Sequence, residues 1–166
     1  NGHDSLTLAQ LALTDYSGKL IVVDLQEQAI EKTKNRLMSS ISTECMQRIT
    51  FQCTCHSKID VLAEKDSLSL IVYNLGYLPS GDQTLTTLVE STRISISKSL
   101  ELLKPGGLLS IMCYPGHEEG AFELEALHAD FKMLDPKKWA CTFHSFTNRN
   151  KSPCLFLIQK DSEFKL

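Results

Sequence analysis

No apolar run in these 166 residues approaches the roughly 20 that a bilayer-spanning helix needs. The first residues are polar and lack a basic start, so no secretory leader is expected among them. Glycine (8) and proline (5) are too sparse for collagen-like or low-complexity chain, and 42% hydrophobic residues are too many for bulk disorder. None of the six cysteines forms a C-x-x-C pair, which excludes zinc-ribbon and thioredoxin readings. Positive charge is also short: 17 basic residues stand against 20 acidic ones, a net −3, so there is no general basic coat for nucleic acid. What remains is ordinary globular composition and one domain's worth of chain, residues 1–166.

The apolar pattern alternates between two periods. The continuous β-branched run Lys19–Asp24 reads as a strand buried on both faces, and Arg48–Cys53, Leu68–Tyr73 and Leu108–Tyr114 read as further strands. Between them, Asp4–Leu13, Gln28–Ile41, Thr84–Leu103 and Glu119–Leu134 carry helical stripes. Lys104-Pro105-Gly106-Gly107 is expected to stop the third helix. Trp139–Thr147 and Cys154–Gln159 close the chain as two strands around a turn. Alternation of this kind predicts an α/β fold with right-handed crossovers, a mostly parallel sheet and an antiparallel C-terminal edge. Cys53, Cys113, Cys141 and Cys154 lie in apolar segments and read as small buried hydrophobes of a reducing, cytoplasmic protein.

In open α/β sheets ligands bind beyond the carboxyl ends of the strands. Here those ends are Asp24, Cys55-His56, Asn74-Leu75-Gly76-Tyr77 and Tyr114-Pro115-Gly116-His117, each polar, glycine-containing or both. A carboxylate at Asp24 suits a ribose diol, and equally a helix N-terminal acid. Asn1-Gly2-His3-Asp4 looks like the tail of a glycine-rich strand-to-helix turn, or an ordinary helix start. The Asn74 amide oxygen and the Leu75 carbonyl can accept from a substrate amine, and Tyr77 can stack on a planar ring; alone, the segment reads equally as a turn in which Asn74 caps backbone and Tyr77 packs. His117 can serve as a base or a hydrogen-bond partner. His3, His56 and His117 have no metal-ligand spacing, so no metal is expected, and His128 and His144 read as structural. Lys132, Lys137, Lys138, Arg149 and Lys151 cluster in sequence near only Asp130 and Asp135. On charge alone they read as a solvated face.

Taken together, Asn1–Ser5, Asp24-Leu25-Gln26 with Ala29-Ile30, Asn74-Leu75-Gly76-Tyr77-Leu78-Pro79 and Tyr114-Pro115-Gly116-His117 resemble the class I S-adenosylmethionine-dependent methyltransferases. More narrowly, they look like the YtqB/MnmM-type group labelled rRNA methylases. Cys55-His56-Ser57 and Asn148 fit the same group, and the resemblance covers essentially the whole chain. It implies a Rossmann-like methyltransferase sheet, S-adenosyl-L-methionine as cofactor, and methylation of the 5-aminomethyl(-2-thio)uridine amine at the tRNA wobble position. By resemblance, Asn1, Gly2, His3, Asp4, Asp24, Leu25, Gln26, His56, Ser57 and Asn74 would hold the cofactor. Asn74, Tyr77, Tyr114 and His117 would line the methyl-acceptor pocket, and Asn148 with its basic neighbours would contact the anticodon loop. The implied partners are tRNA or another RNA, with room for a homodimer and none for a membrane.

The sequence departs from the group at Glu118-Glu119-Gly120, where Pro-Gly-Gly is usual, and at Ser80-Gly81, where Gly-Gly is usual. The group's first strand and the start of its glycine-rich loop would precede Asn1, so a piece of a longer chain is expected. Three rival readings stay open. A nicotinamide oxidoreductase would also use Asp24, but a catalytic Tyr-Lys or His pair is not evident. A non-catalytic methyltransferase-like binding module would fail to bind the cofactor. A small-molecule N-methyltransferase would suit the net negative charge and Glu118-Glu119.

Overall fold

The computed structural model describes residues 2–13, 18–75 and 89–162. The chain divides into two compact units, Asn1–Lys58 and Ile59–Leu166, each with its own sheet among the described residues.

The first unit runs α1 (His3–Ala12), β1 (Leu20–Asp24), α2 (Glu27–Met38), the single-turn α3 (Thr43–Met46) and β2 (Ile49–Cys53). β1 and β2 pair in parallel from Leu20↔Ile49 to Asp24↔Cys53, so both strands finish at one end. α2 buries Ala29, Ile30, Thr33 and Leu37, one stripe at helical spacing. That stripe meets Ala9 and Leu13 of the first helical segment and Val22 and Ile49 of the strands in a small core. Ser42 caps α3 by accepting the Cys45 N–H at 3.2 Å, a helix the apolar pattern is too short to reveal.

The second unit opens with a 3₁₀ segment that begins at His56 in the first unit and ends at Val61. It continues with β3 (Leu68–Asn74), α4 (Val89–Leu102), β4 (Leu103–Cys113), α5 (Glu118–Lys132), β5 (Trp139–His144) and β6 (Cys154–Lys160). The sheet order is β3-β4-β6-β5. β3 and β4 are parallel, and β6 runs antiparallel to both β4 and β5. The antiparallel closing pair is thus present, with the C-terminal strand β6 on the inside and β5 on the edge. α4 and α5 cover one sheet face, where Ile96, Leu127 and Phe131 join Ile71, Leu109, Ile111, Phe156 and Ile158 in the core.

Two features differ from the sequence reading. Lys104–Gly107 does not separate helix from strand: β4 begins at Leu103, directly after α4, and runs through all four residues. Proline and glycine act instead as a bulge, shifting the register between Leu68↔Leu103 and Leu70↔Leu108. A Cβ on Gly107 would stand 2.8 Å from the Lys104 carbonyl oxygen, so the bulge requires glycine there. β1 is also not fully buried on both faces: of its five residues only Val22 is buried. In β3, Ile71 and Tyr73 point into the core, whereas Leu70 (44%) and Val72 (40%) are exposed; among the described residues α4 and α5 cover one side of this sheet. The start of the predicted third helix, residues 84–88, lies outside the described residues.

Candidate functional site

The strand ends are best taken unit by unit. In the first, β1 ends at Asp24, whose Oδ1 accepts the Gln26 backbone N–H at 2.8 Å. Gln26 is the residue that caps α2, so one bond ties the carboxylate to the strand-helix turn and fixes its rotamer. The Asp24 carbonyl meanwhile accepts from Thr54 N–H at 3.0 Å, extending the ladder beyond β2. Leu25 is left 58% exposed beside it, an apolar surface at a strand end. The Cys53 thiol donates to its carbonyl at 3.5 Å. His56 opens the 3₁₀ segment with Nε2 buried, and Ser57 Oγ donates to Cys55 Sγ at 3.1 Å.

α1 is preceded by its N-cap Gly2, which sits in the left-handed region at φ 71°. A Cβ there would come within 2.8 Å of Thr33 Cα, so glycine lets the start of α1 lie directly on α2. The contact is joined at the surface by Arg36 Nη1, which donates to His3 Nδ1 at 3.3 Å. Asp4 lies in the first turn, where the helix dipole favours an acid. Asn1 falls outside the described residues.

In the second unit, β3 ends at an exposed Asn74, in register with Met112 of β4. The next residue, Leu75, is 3% exposed and donates its N–H to the Met112 carbonyl at 3.0 Å, so the strand is held firmly up to that point. Tyr77, with Gly76, Leu78 and Pro79, lies outside the described residues. Beside this end, β4 gives way to Tyr114, 38% exposed, and then to His117, which caps α5. His117 Nδ1 accepts the Gly120 N–H at 3.1 Å, and its Nε2 is buried. Accepting a backbone N–H uses a lone pair on Nδ1; the same nitrogen lies 3.4 Å from Glu119 Oε2, to which a protonated Nδ1 would donate instead. That geometry makes His117 an anchor of its loop. Gly120 permits the turn, since a Cβ there would collide with the Tyr114 carbonyl oxygen.

Glu118 and Glu119 fill the first turn of α5, where the dipole favours acids. The Glu119 carboxyl is held below its ordinary value by its own backbone N–H first and by the nearby His117 second. The departure from Pro-Gly-Gly thus has a helix-starting role of its own.

A residue that the sequence reading passed over lies one turn further on. Glu123 is 3% exposed and accepts from the fully buried Thr92 hydroxyl of α4 at 2.6 Å. Burial pushes its carboxyl above the ordinary value, opposed by the Thr92 bond and the charge of His117. The signal was its phase: Gly120, Glu123, Leu127 and Phe131 are the buried positions of α5.

The cysteines divide. Cys113 and Cys154 are buried opposite each other on β4 and β6, and burial pushes the Cys113 thiol up to about 12. Cys53 and Cys141 are exposed, contrary to expectation; the latter sits on the edge strand β5, most of whose residues face solvent. The basic residues divide too. β5 starts beside Lys137 and Lys138 and ends, roughly 17 Å away at ~3.3 Å per residue, on the side of Arg149 and Lys151. They do not form one patch. Among the described residues no cluster of His, Cys, Asp and Glu is arranged to hold a metal ion, and no helix is long and apolar enough to cross a membrane.

A family model described as "Putative rRNA methylase" matches residues 20–160. The chain belongs to this family. The match takes in β1 with Asp24, Asn74 and the Tyr114–His117 loop. The chain is 31% identical over 164 residues to the chloroplastic tRNA (mnm(5)s(2)U34)-methyltransferase of Arabidopsis thaliana, covering 96% of this chain and 60% of that protein. It therefore spans less than two thirds of the curated relative's length. Two solved structures are also similar. One is a "putative rRNA-methylase" from Clostridium thermocellum (32% identity, TM-score 0.87, 96% of this chain and 83% of that one). The other is a "putative methyltransferase" from Streptococcus mutans in complex with SAH (30%, 0.80, 96% and 82%). The fold is the α/β, Rossmann-like methyltransferase fold.

Proposed function

We propose that the protein is an S-adenosyl-L-methionine-dependent N-methyltransferase acting on RNA. Its acceptor is the amine of 5-aminomethyl(-2-thio)uridine at the tRNA wobble position. The observation that carries this reading is the exposed Asn74 amide at the end of β3, beside the Tyr114–His117 turn at the end of β4. The tRNA methyltransferase named above, at 31% identity, supports the substrate class.

The chain has residues that suit this cofactor. Asp24 has one carboxylate oxygen bonded to Gln26 and a second with which to accept from a ribose hydroxyl. Leu25 offers an apolar surface beside it, with His56 and Ser57 at the next strand end. Gly2, His3 and Asp4 begin a helix whose N-terminus favours a carboxylate. Asn1 belongs to the same proposed set. When bound, S-adenosyl-L-methionine supplies a methyl group already activated by its sulfonium.

The chain's own contribution is then positioning, which in favourable cases is worth up to about 7–11 kcal/mol of a barrier. The Asn74 oxygen accepts one amine N–H and aims the nitrogen lone pair. Tyr114 walls the uridine ring, and Tyr77 belongs to the same proposed set. His117 fixes the shape of that wall through Gly120. Substrate that excludes water from this wall on docking favours the neutral amine, the form that can attack.

The six free thiols suit a reducing compartment, the cytoplasm in this proposal, and a homodimer remains part of it. The test is methyl transfer from radiolabelled cofactor to tRNA lacking the terminal methyl. Labelled nucleoside at the wobble position is the expected result. Cofactor binding with transfer only to small amines would replace this reading with that of a small-molecule enzyme.

A further inference from the structure

Along the exposed face of α5 runs a shallow, open depression of about 390 Å³ lined by Pro115, Ala121, Leu124, Glu125, His128 and Lys132. The five helical residues follow one face at i, i+3, i+4, i+7 and i+11, a trench about 16 Å long at 1.5 Å per residue. Its near end is Pro115, one residue beyond Tyr114, so it begins where the proposed acceptor wall stops.

The walls are apolar and aromatic, and the polar groups are few and spaced. The His128 ring is held edge-on by Phe143 at 4.3 Å and Phe156 at 4.8 Å between centroids. Burial first, and Lys132 second, lower its pKa and keep it a neutral flat ring. Lys132 places an ammonium at the far end, and Glu125 an acceptor midway. The β5–β6 turn adds charge and stacking surface on the near side. Phe146 is 55% exposed with the Arg149 guanidinium 5.0 Å from its centroid. The Lys151 carbonyl lies 3.9 Å from where a Cβ on Gly116 would stand. Within the depression one flat ring, one carboxylate and one ammonium stand in a row, and they match the parts of an unpaired nucleotide: base face, base edge and phosphate.

We propose that this trench binds one unpaired nucleotide of the RNA, adjacent to the nucleotide that is methylated. The base lies against Pro115 and His128, a base N–H donates to Glu125, and a phosphate meets Lys132. This rests on the RNA reading above and gives it a second contact point.

The test uses the full-length protein and an anticodon stem-loop RNA with 5-aminomethyluridine at the wobble position. A matched set carries an abasic residue on one side or the other of that nucleotide. For the unaltered protein, KM should rise roughly tenfold on one abasic RNA, while kcat changes much less. Lys132→Ala and Glu125→Gln should each raise KM on intact RNA several-fold and shrink the abasic penalty, since residue and base then share one interaction. These exposed positions carry the test because His128→Ala risks collapse of the aromatic cluster. Equal KM on all RNAs, or variant and abasic effects that simply multiply, would overturn the trench proposal with the RNA reading intact. Failure of the unaltered protein to methylate any of these RNAs while binding the cofactor would overturn the RNA reading, and the trench with it.

Discussion

His117 Nδ1 accepts the backbone N–H of Gly120 at 3.1 Å, so the imidazole in the acceptor loop is also the N-cap of α5. Caps of this kind are worth about 1 kcal/mol. His117→Ala should lower stability by about that amount in urea unfolding, and His117→Asn should recover most of it. If Asn also recovers methyl transfer, the ring serves to hold the loop. Recovery of stability without activity would show that the ring itself touches substrate.

Asn74→Ala should reduce kcat by about tenfold or more while the cofactor Kd moves less than twofold, since one hydrogen bond that aims the amine is lost. Parallel calorimetry and initial rates check this. Equal losses in both would assign Asn74 to cofactor binding instead.

Asp24→Ala should do the reverse, weakening cofactor binding by about tenfold or more through loss of charge-assisted bonds to ribose. Asp24→Asn should fall between the two, since it still accepts. The Gln26 bond predicts a small stability loss in Asp24→Ala as well.

Glu123 should give stability a pH dependence of definite sign. Its folded carboxyl binds a proton more tightly than the ordinary group, because it is buried. The folded state therefore holds more protons as pH rises through the ordinary carboxylate value, and stability falls until the raised folded pKa is passed. Relative to the unaltered protein, Glu123→Gln should gain stability with rising pH and show no such gain in acid below the ordinary value. Urea midpoints across pH measure it. A difference independent of pH would mean that the carboxyl is not protonated more readily in the fold.

Gly120→Ala should cost about 1–3 kcal/mol, the usual range for overpacking, because its methyl would meet the Tyr114 carbonyl. Methylation should fall further than stability accounts for, and cofactor binding should not. A variant with full activity would show that the Tyr114 turn yields without consequence.

Much of this was legible from residues alone. The strands and helices follow from periodicity, and Asp24, Asn74 and His117 fall at strand or helix ends as their neighbours predict. The resemblance to a methyltransferase family was carried by short strings at those same ends. Three things were not legible. The Lys104–Gly107 turn reads as a stop, and only pairing with Leu68 and Leu70 turns it into a bulge within β4. Glu123 is in phase with Leu127, but its burial depends on Thr92, 31 residues away on another helix. The lysines and arginine near the end of the sequence look like one cluster, and strand direction alone separates Lys137 and Lys138 from Arg149 and Lys151.

The position of β6 has a consequence for how the chain is made. Cys154–Lys160 lies between β4 and β5, yet it is the last of the three to be synthesised. Until it leaves the ribosome, β5 has no neighbour among the described strands and β4 has β3 alone. At about 5–20 residues per second, the apolar face of β4 waits on the order of a few seconds for its partner. In that interval Leu109 and Ile111 depend on α4 and α5 for cover, so the nascent second unit is a half-finished helix-on-strand layer that the final strand locks at a stroke.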